Sequence, residues 1–388
     1  MWTTLFFGAI ASLFVAVTLA KLWDLRWVHR LPSLDELPPP TQQSPSPEKP
    51  VRCSVVVAAR DEAARIEAAV RQLLAQRGVD VELIIVDDRS TDGTSEILRR
   101  LSQNEPRLRV QRVDTLPDGW LGKCHACHIG AQAATGDWIL FTDADCWLKP
   151  DVIARAVRLA ESERADHVTM TPGTVVRSAG VRGWYLLFLT SLLSWFSGVN
   201  RDRPGSYVGI GAFNLVRATA YRECGGYQAL RLTVVDDVKL GLLLRRAGKR
   251  TRGFLGASDV ECFWGATLGS MVRVMEKNYF AILDYRLWLV CLGSLTIMVM
   301  AATIIAGLVS GTVAGLCAGL APLSLIVPAA ILARRVGWSW GYALLAPFMV
   351  PVFQYAVLNS TWMTLRQGGV RWRDTLYPLP LLRAGNVR

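Results

Sequence analysis

Apolar residues in the first half of the chain recur in two alternating patterns. Residues 51–59 carry Val55-Val56-Val57 between turn signals, a short β-branched run that predicts a buried strand. Residues 61–76 then place Ala64, Ile66, Ala69, Val70, Leu73 and Leu74 close to helical spacing. The alternation continues with strands predicted at 81–86, 107–113, 138–142 and 167–170, and helices at 94–101, 126–134 and 151–163. Strand and helix in turn imply βαβ units, hence an α/β fold with a doubly wound, mostly parallel sheet.

Outside that region the pattern becomes unbroken hydrophobicity. Residues 3–20 hold no charge, and neither do the 47 residues 287–333. One bilayer crossing takes about 20 residues, so the second stretch reads as two spans and a turn. A further uncharged run at 338–363, kinked by Pro347 and Pro351, makes two to three transmembrane helices over 286–363. The first segment lacks a basic leader and a small-residue cleavage site, and reads as a retained anchor over residues 1–22. Residues 183–198 are aromatic and apolar but only sixteen long, which favours an interfacial helix over a span. Seven of the eighteen prolines fall in residues 31–50, a stiff linker to a domain at 51–282; residues 364–388 form a basic tail.

The net charge of +11 raises the question of nucleic acid. Basic residues beside visible spans account for it through anionic headgroups, so the implied partner is the lipid bilayer and no nucleic acid. Lys21, Arg26 and Arg30 directly follow the first span, and the positive-inside rule then places the domain in the cytoplasm of a multi-pass cell-membrane protein. Three C-terminal crossings would send Arg366, Arg371 and Arg373 to the side opposite Arg334 and Arg335; a re-entrant last segment is the alternative. Eight cysteines without framework spacing fit a reduced compartment.

Two of the predicted strands end in acid, Asp87-Asp88 and Asp143-Ala144-Asp145. Ligands of open α/β sheets bind outside the carboxyl ends of the strands, and magnesium or manganese is held by one or two carboxylates plus substrate phosphates. Turn or helix-cap chemistry is the competing reading, and Ser90, Thr91 and Asp92 are good capping residues. Together the two turns outline a nucleoside-diphosphate pocket, one acidic turn for the nucleoside and the next for a metal on the diphosphate.

With these residues in view the chain resembles the family 2 glycosyltransferases of the GT-A, Rossmann-like fold. The carrying motifs are Val57-Ala58-Ala59-Arg60-Asp61-Glu62, residues 86–92 around Asp87-Asp88, Gly119-Trp120-Leu121-Gly122-Lys123, Asp143-Ala144-Asp145, and Asp236-Asp237 followed by Gly248. The Gly-Trp-Leu-Gly-Lys run is similar to membrane-anchored members that glycosylate lipids, of hopanoid-associated, carotenoid and ceramide types. The resemblance implies that Ala59, Arg60 and Glu62 line the nucleotide loop, that Asp88 with Asp87 behind it holds uridine or another base, and that Lys123 reaches the nucleotide or its phosphates. It implies Mg2+ or Mn2+ at Asp143 and Asp145, with Asp145 the more direct ligand. Asp237, paired with Asp236, stands where the family has its general base, facing an acceptor hydroxyl. The implied reaction moves one sugar from a nucleotide-sugar donor, a UDP-sugar by preference, to a membrane lipid acceptor with inversion.

A processive member would carry Gln-x-x-Arg-Trp after the base; here residues 271–278 lack that tryptophan, which favours single addition and leaves Arg273 and Lys277 as phosphate contacts. Gly209-Ile210-Gly211-Ala212-Phe213-Asn214 resembles the family's strand beside the acceptor, with Gly211 and Phe213 as acceptor candidates, although a glycine cluster equally fits a turn. Cys124-His125-Ala126-Cys127-His128 has c-type haem or zinc spacing, set against its position inside the sugar-nucleotide motif. Rival functions are transfer to polyprenyl phosphate, whose acceptor needs no deprotonation, and a non-catalytic scaffold or nucleotide sensor.

Overall fold

A computed structural model describes residues 1–37, 51–263 and 265–387; most of the proline-rich linker predicted at 31–50 lies outside the described residues. In chain order the elements begin with α1 (Trp2–Leu25), β1 (Arg52–Ala59), α2 (Ile66–Leu74), β2 (Asp80–Asp88), α3 (Thr94–Ser102), β3 (Leu108–Val113) and α4 (Gly122–Ala133). They continue with β4 (Trp138–Asp143), β5 (Cys146–Leu148), α5 (Val152–Ser162), β6 (His167–Thr174), α6 (Ala179–Asn200), β7 (Asn214–Arg217), α7 (Ala218–Glu223), α8 (Gly226–Ala229), α9 (Asp236–Arg246) and β8 (Thr251–Cys262). The chain divides into two compact units, one of Met1–Trp27, Val176–Ser197 and Trp264–Leu379, the other of Val28–Val175, Gly198–Phe263 and Pro380–Arg388.

The second unit is built on an eight-stranded sheet of order β3-β2-β1-β4-β7-β6-β8-β5. β1 pairs in parallel with β2 and β4, and Val55, Val56 and Val57 at its centre are fully buried. A strand covered on both faces reads as a continuous apolar run, which is why the sequence shows no alternation here. β7 enters antiparallel between β4 and β6, and β5 closes the far edge antiparallel to β8. β8 carries charges that hide it from a hydrophobicity reading. Arg252 is buried against Asp202 at 2.9 Å and Glu163, and Asp259 is paired with Arg155 at 2.7 Å. Arg155 also donates to the Leu31 and Pro32 carbonyls at 2.9 Å, tying the approach segment to α5.

The first unit holds the apolar helices. Among the described residues three are long and apolar enough to cross a membrane: Trp2–Leu25, Leu287–Val309 and Val313–Arg335. Twenty-three helical residues extend about 34 Å, a bilayer's hydrocarbon thickness. Leu287–Val309 and Val313–Arg335 approach closely through small residues, since a Cβ on Gly307 would lie 2.5 Å from the Gly315 carbonyl. Thr18 and Ser324 meet through their hydroxyls at 2.7 Å. Past Trp338 the chain makes tight turns at Trp340–Leu345 and Pro347–Met349, then the helix Val350–Arg366. The segment read as a sixteen-residue interfacial helix belongs to the 22-residue α6.

Candidate functional site

The site grows from the carboxyl ends of β1, β2 and β4. Ala59 lies opposite Asp87 in the parallel ladder, so the loops leaving β1 and β2 are neighbours, and they are laced together. The Asp61 N–H donates to Ser90 Oγ at 3.0 Å, the Glu62 N–H to Thr94 Oγ1 at 2.8 Å, and Asp61 Oδ1 accepts the Thr91 N–H at 2.8 Å. Asp61 and Arg89 hold φ of 54° and 58°, a conformation unfavourable for side-chain-bearing residues that this lacing maintains. Arg60 and Glu62 sit half-buried on the same loop.

Both acids of the first turn are matched by arginine. Asp87 is buried, accepts the Ser90 N–H at 3.2 Å and the Ser95 hydroxyl, and pairs with Arg112 at 3.1 Å. Asp88 takes Nε and Nη2 of Arg89 at 2.7 and 3.0 Å. Helix α4 begins against this turn: a Cβ on Gly122 would lie 2.3 Å from Asp88 Oδ2 and 2.8 Å from Arg89 Nη2, so a larger residue would have to displace the Asp88–Arg89 pair.

One residue further, Lys123 donates to Asp143 Oδ1 at 2.6 Å at the end of β4. Burial works against the Lys123 ammonium, but the carboxylates of Asp143, Asp236 and Asp237 outweigh it and hold its pKa well above the usual lysine value. The second turn is different in character. Desolvation, then the carboxylates of Asp143 and Glu62, push Asp145 up to about 6 against the pull of Lys123. Asp143 and Asp145, one residue apart at this strand end, offer carboxylate oxygens of the kind a hard divalent cation takes.

Asp236 and Asp237 open α9. Asp236 is buried and accepts the Tyr227 hydroxyl at 2.9 Å, whereas Asp237 is partly exposed. Asp237 Oδ2 accepts the Gly211 N–H at 2.7 Å and Oδ1 the Val238 N–H at 2.9 Å, so it serves the helix start as well. Desolvation and the Asp236 carboxylate raise Asp237 to about 6, with Lys123 and the two backbone donors opposing. The segment at 209–213, likened above to a strand beside the acceptor, is a loop and turn; the strand begins at Asn214. The physical reason is proximity, since a Cβ on Gly209 would stand 1.9 Å from the Asp237 carbonyl. Gly211 is the meeting point. A Cβ there would contact Asp143 Oδ2 at 3.2 Å, Asp237 Oδ2 at 3.4 Å and Lys123 Nζ at 3.5 Å. Phe213 is fully buried.

Arg273 and Lys277 lie in the other unit, Arg273 exposed on the helix Leu268–Met275 and the Lys277 ammonium 3.6 Å from the Trp372 ring centre. In the haem-like motif the cysteines and histidines part company. Cys124 and Cys127 point into the core, where Cys124 donates to the Thr233 carbonyl, while His125 and His128 pack on Trp120 at 5.3 and 5.0 Å between ring centres. Sequence reasoning passed over a different pair: Cys146 and Cys262 face each other across β5 and β8, each Sγ 3.8 Å from Asp145 Oδ1. Their separation along the chain left no local signal.

Residues 54–225 match the glycosyl transferase family 2 model. The chain carries a family 2 glycosyltransferase domain. A 4,4'-diaponeurosporenoate glycosyltransferase of Staphylococcus haemolyticus is 33% identical over 213 residues, covering 53% of this chain and 55% of that protein. The succinoglycan biosynthesis protein ExoO of Rhizobium meliloti is 34% identical over 121 residues, 31% of this chain and 33% of the relative. The chain thus spans about half the length, or less, of these curated relatives. The mannosyltransferase PcManGT from Pyrobaculum calidifontis, solved with GDP-Man and Mn2+, superposes with a TM-score of 0.52 at 19% identity over 92% of this chain and 99% of that one. The fold is the GT-A α/β fold that the motifs implied.

Proposed function

We propose that the protein transfers one sugar from a nucleoside-diphosphate sugar to a membrane lipid acceptor, with inversion. The observation that carries this reading is the convergence of Lys123, Asp143 and Asp237 on Gly211, which brings a phosphate-seeking ammonium, a metal-type carboxylate and a base to one point. The acceptor hydroxyl oxygen attacks the anomeric carbon as Asp237 Oδ2 takes its proton. The bond from that carbon to the diphosphate breaks on the opposite face, and the configuration inverts. A base poised near 6 is ionised at neutral pH yet still basic enough to accept a proton. Asp88 and the laced loop with Ala59, Arg60 and Glu62 hold the nucleoside, and Lys123 steadies the diphosphate. Asp145, with Asp143, would hold Mg2+ or Mn2+, which supplies Lewis-acid stabilisation of the departing diphosphate.

Apolar helices precede and follow the domain along the chain, which supports a membrane-resident acceptor, and Lys21, Arg26 and Arg30 after the first span support a domain on the cytoplasmic side. The relatives named for 4,4'-diaponeurosporenoate support the same acceptor class, and the structural neighbour's GDP-Man places GDP-sugars beside UDP-sugars as donors to try. The deciding experiment is a panel of UDP-, GDP- and dTDP-sugars offered with total membrane lipid and Mg2+ or Mn2+, with transfer read as labelled sugar in the lipid extract. One donor should label lipid in the wild type and not in Asp237→Asn. Full labelling by Asp237→Asn would turn the reading to a phosphate acceptor. Labelling by no donor would remove the proposal.

A further inference from the structure

We propose that Asp145, Cys146 and Cys262 form a site for a thiophilic divalent cation of the zinc type. Cys146 and Cys262 are directly opposed in the antiparallel ladder of β5 and β8, so their side chains leave the same face. Both are buried free thiols. Each Sγ stands 3.8 Å from Asp145 Oδ1, and the three ligand atoms all lie within 4.8 Å of one another. Tetrahedral zinc, with Zn–S about 2.3 Å and Zn–O about 2.0 Å, spaces sulfur and oxygen ligands about 3.5 Å apart. Small side-chain rotations therefore close the triangle. Two thiolates and a carboxylate leave the fourth position for water, and Asp145, the one member of the three that is not buried, lies on the solvent side of the triangle.

The strand that carries Cys146 is fixed from outside the triangle. Gln72 on α2 donates to the Cys146 carbonyl and accepts the Leu148 N–H, both at 2.8 Å, which holds β5 in register for the pair. Thiolates select zinc over magnesium or manganese, whose preference is for oxygen. Binding one zinc ion exchanges two S–H bonds for two Zn–S bonds and releases two protons to the buffer. Because Asp145 is also assigned to the donor's cation, zinc held by the cysteines would draw that carboxylate away and stop transfer. This consequence rests on the function proposed above; the binding itself does not.

The test uses full-length, reduced protein in detergent without nucleotide, with Co2+ as the probe. One equivalent should produce a thiolate-to-cobalt charge-transfer band that Zn2+ abolishes and excess Mg2+ leaves intact. Cys146→Ser and Cys262→Ser should each lose the band, and Cys291→Ser with Cys317→Ser should keep it. Gln72→Ala should weaken cobalt binding about 10–100-fold. Wild-type protein supplies a readout free of folding defects: Zn2+ should slow alkylation of Cys146 and Cys262 together, followed by mass spectrometry. A wild type without the band, a band surviving in both serine variants, or unchanged alkylation of the pair would overturn the site. Zinc bound at the pair with sugar transfer undiminished would overturn the assignment of Asp145 to the donor's cation and leave the zinc site standing.

Discussion

The ends of β2 and β4 make a controlled comparison, because each strand pairs in parallel with the buried β1 and each ends in acid at its carboxyl end. At β2 the charges are matched inside the protein, Asp87 by Arg112 and Asp88 by Arg89. At β4 one lysine serves Asp143 while Asp145 meets further carboxylates and is pushed up to about 6. Arginine-matched acids organise a loop, whereas an acid gathered among others without enough positive charge is pushed towards protonation, the condition that the proposed cation would relieve. Under the proposed function, the difference separates the turn that would shape the nucleoside pocket from the turn that would handle developing charge.

The strongest way to sharpen this comparison is Asp237→Asn, which leaves both turns in place and removes the base. Turnover should drop by roughly 10²–10⁴-fold, with donor binding by isothermal titration preserved. Asp145→Ala should cost on the order of 10²–10³-fold, as should chelation of the divalent ion in wild type. Unlike a change at β2, it should leave thermal stability equal or higher, because it relieves repulsion; a large fall in Tm would break the contrast.

Proton linkage gives the next effect. With the Asp237 acid raised to about 6, the base form is lost below that value, and the rate should fall about tenfold per pH unit there. Asp145 and Asp237 bind protons more tightly folded than unfolded, so their contribution to stability declines as pH rises from about 4 to about 6 and is flat above. Melting curves across that window, with and without Mn2+, should show the metal flattening the decline. The smallest effect falls at β2, where Asp87→Ala leaves the Ser90 N–H without its partner and should reduce stability by about 1–3 kcal/mol, measured by denaturant unfolding.

Much of this was legible in the chain. β1, β2 and β4 follow from short, mostly apolar runs, and the long apolar helices from the absence of charge. Predicted helix 61–76 begins later, at Ile66, because Asp61 turns its backbone to positive φ and gives its carboxylate to Thr91. β8 escaped because its arginine and aspartate are buried by ion pairs with distant residues, and β7 because its four residues follow a glycine turn. Motif order singled out the acids of the candidate site, but motif order is blind to which acids find an arginine.

The sequence by itself determined the alternation of strand and helix, the apolar spans and the family 2 motifs, since each is written in local periodicity or adjacent residues. Only the tertiary structure decided how the acids at strand ends divide between matched and unmatched, that Gly211 gathers Lys123, Asp143 and Asp237, and that Cys262 comes back beside Asp145. Electrostatic balance and ligand geometry depend on distances of a few ångströms between residues far apart in the chain, and folding sets those distances.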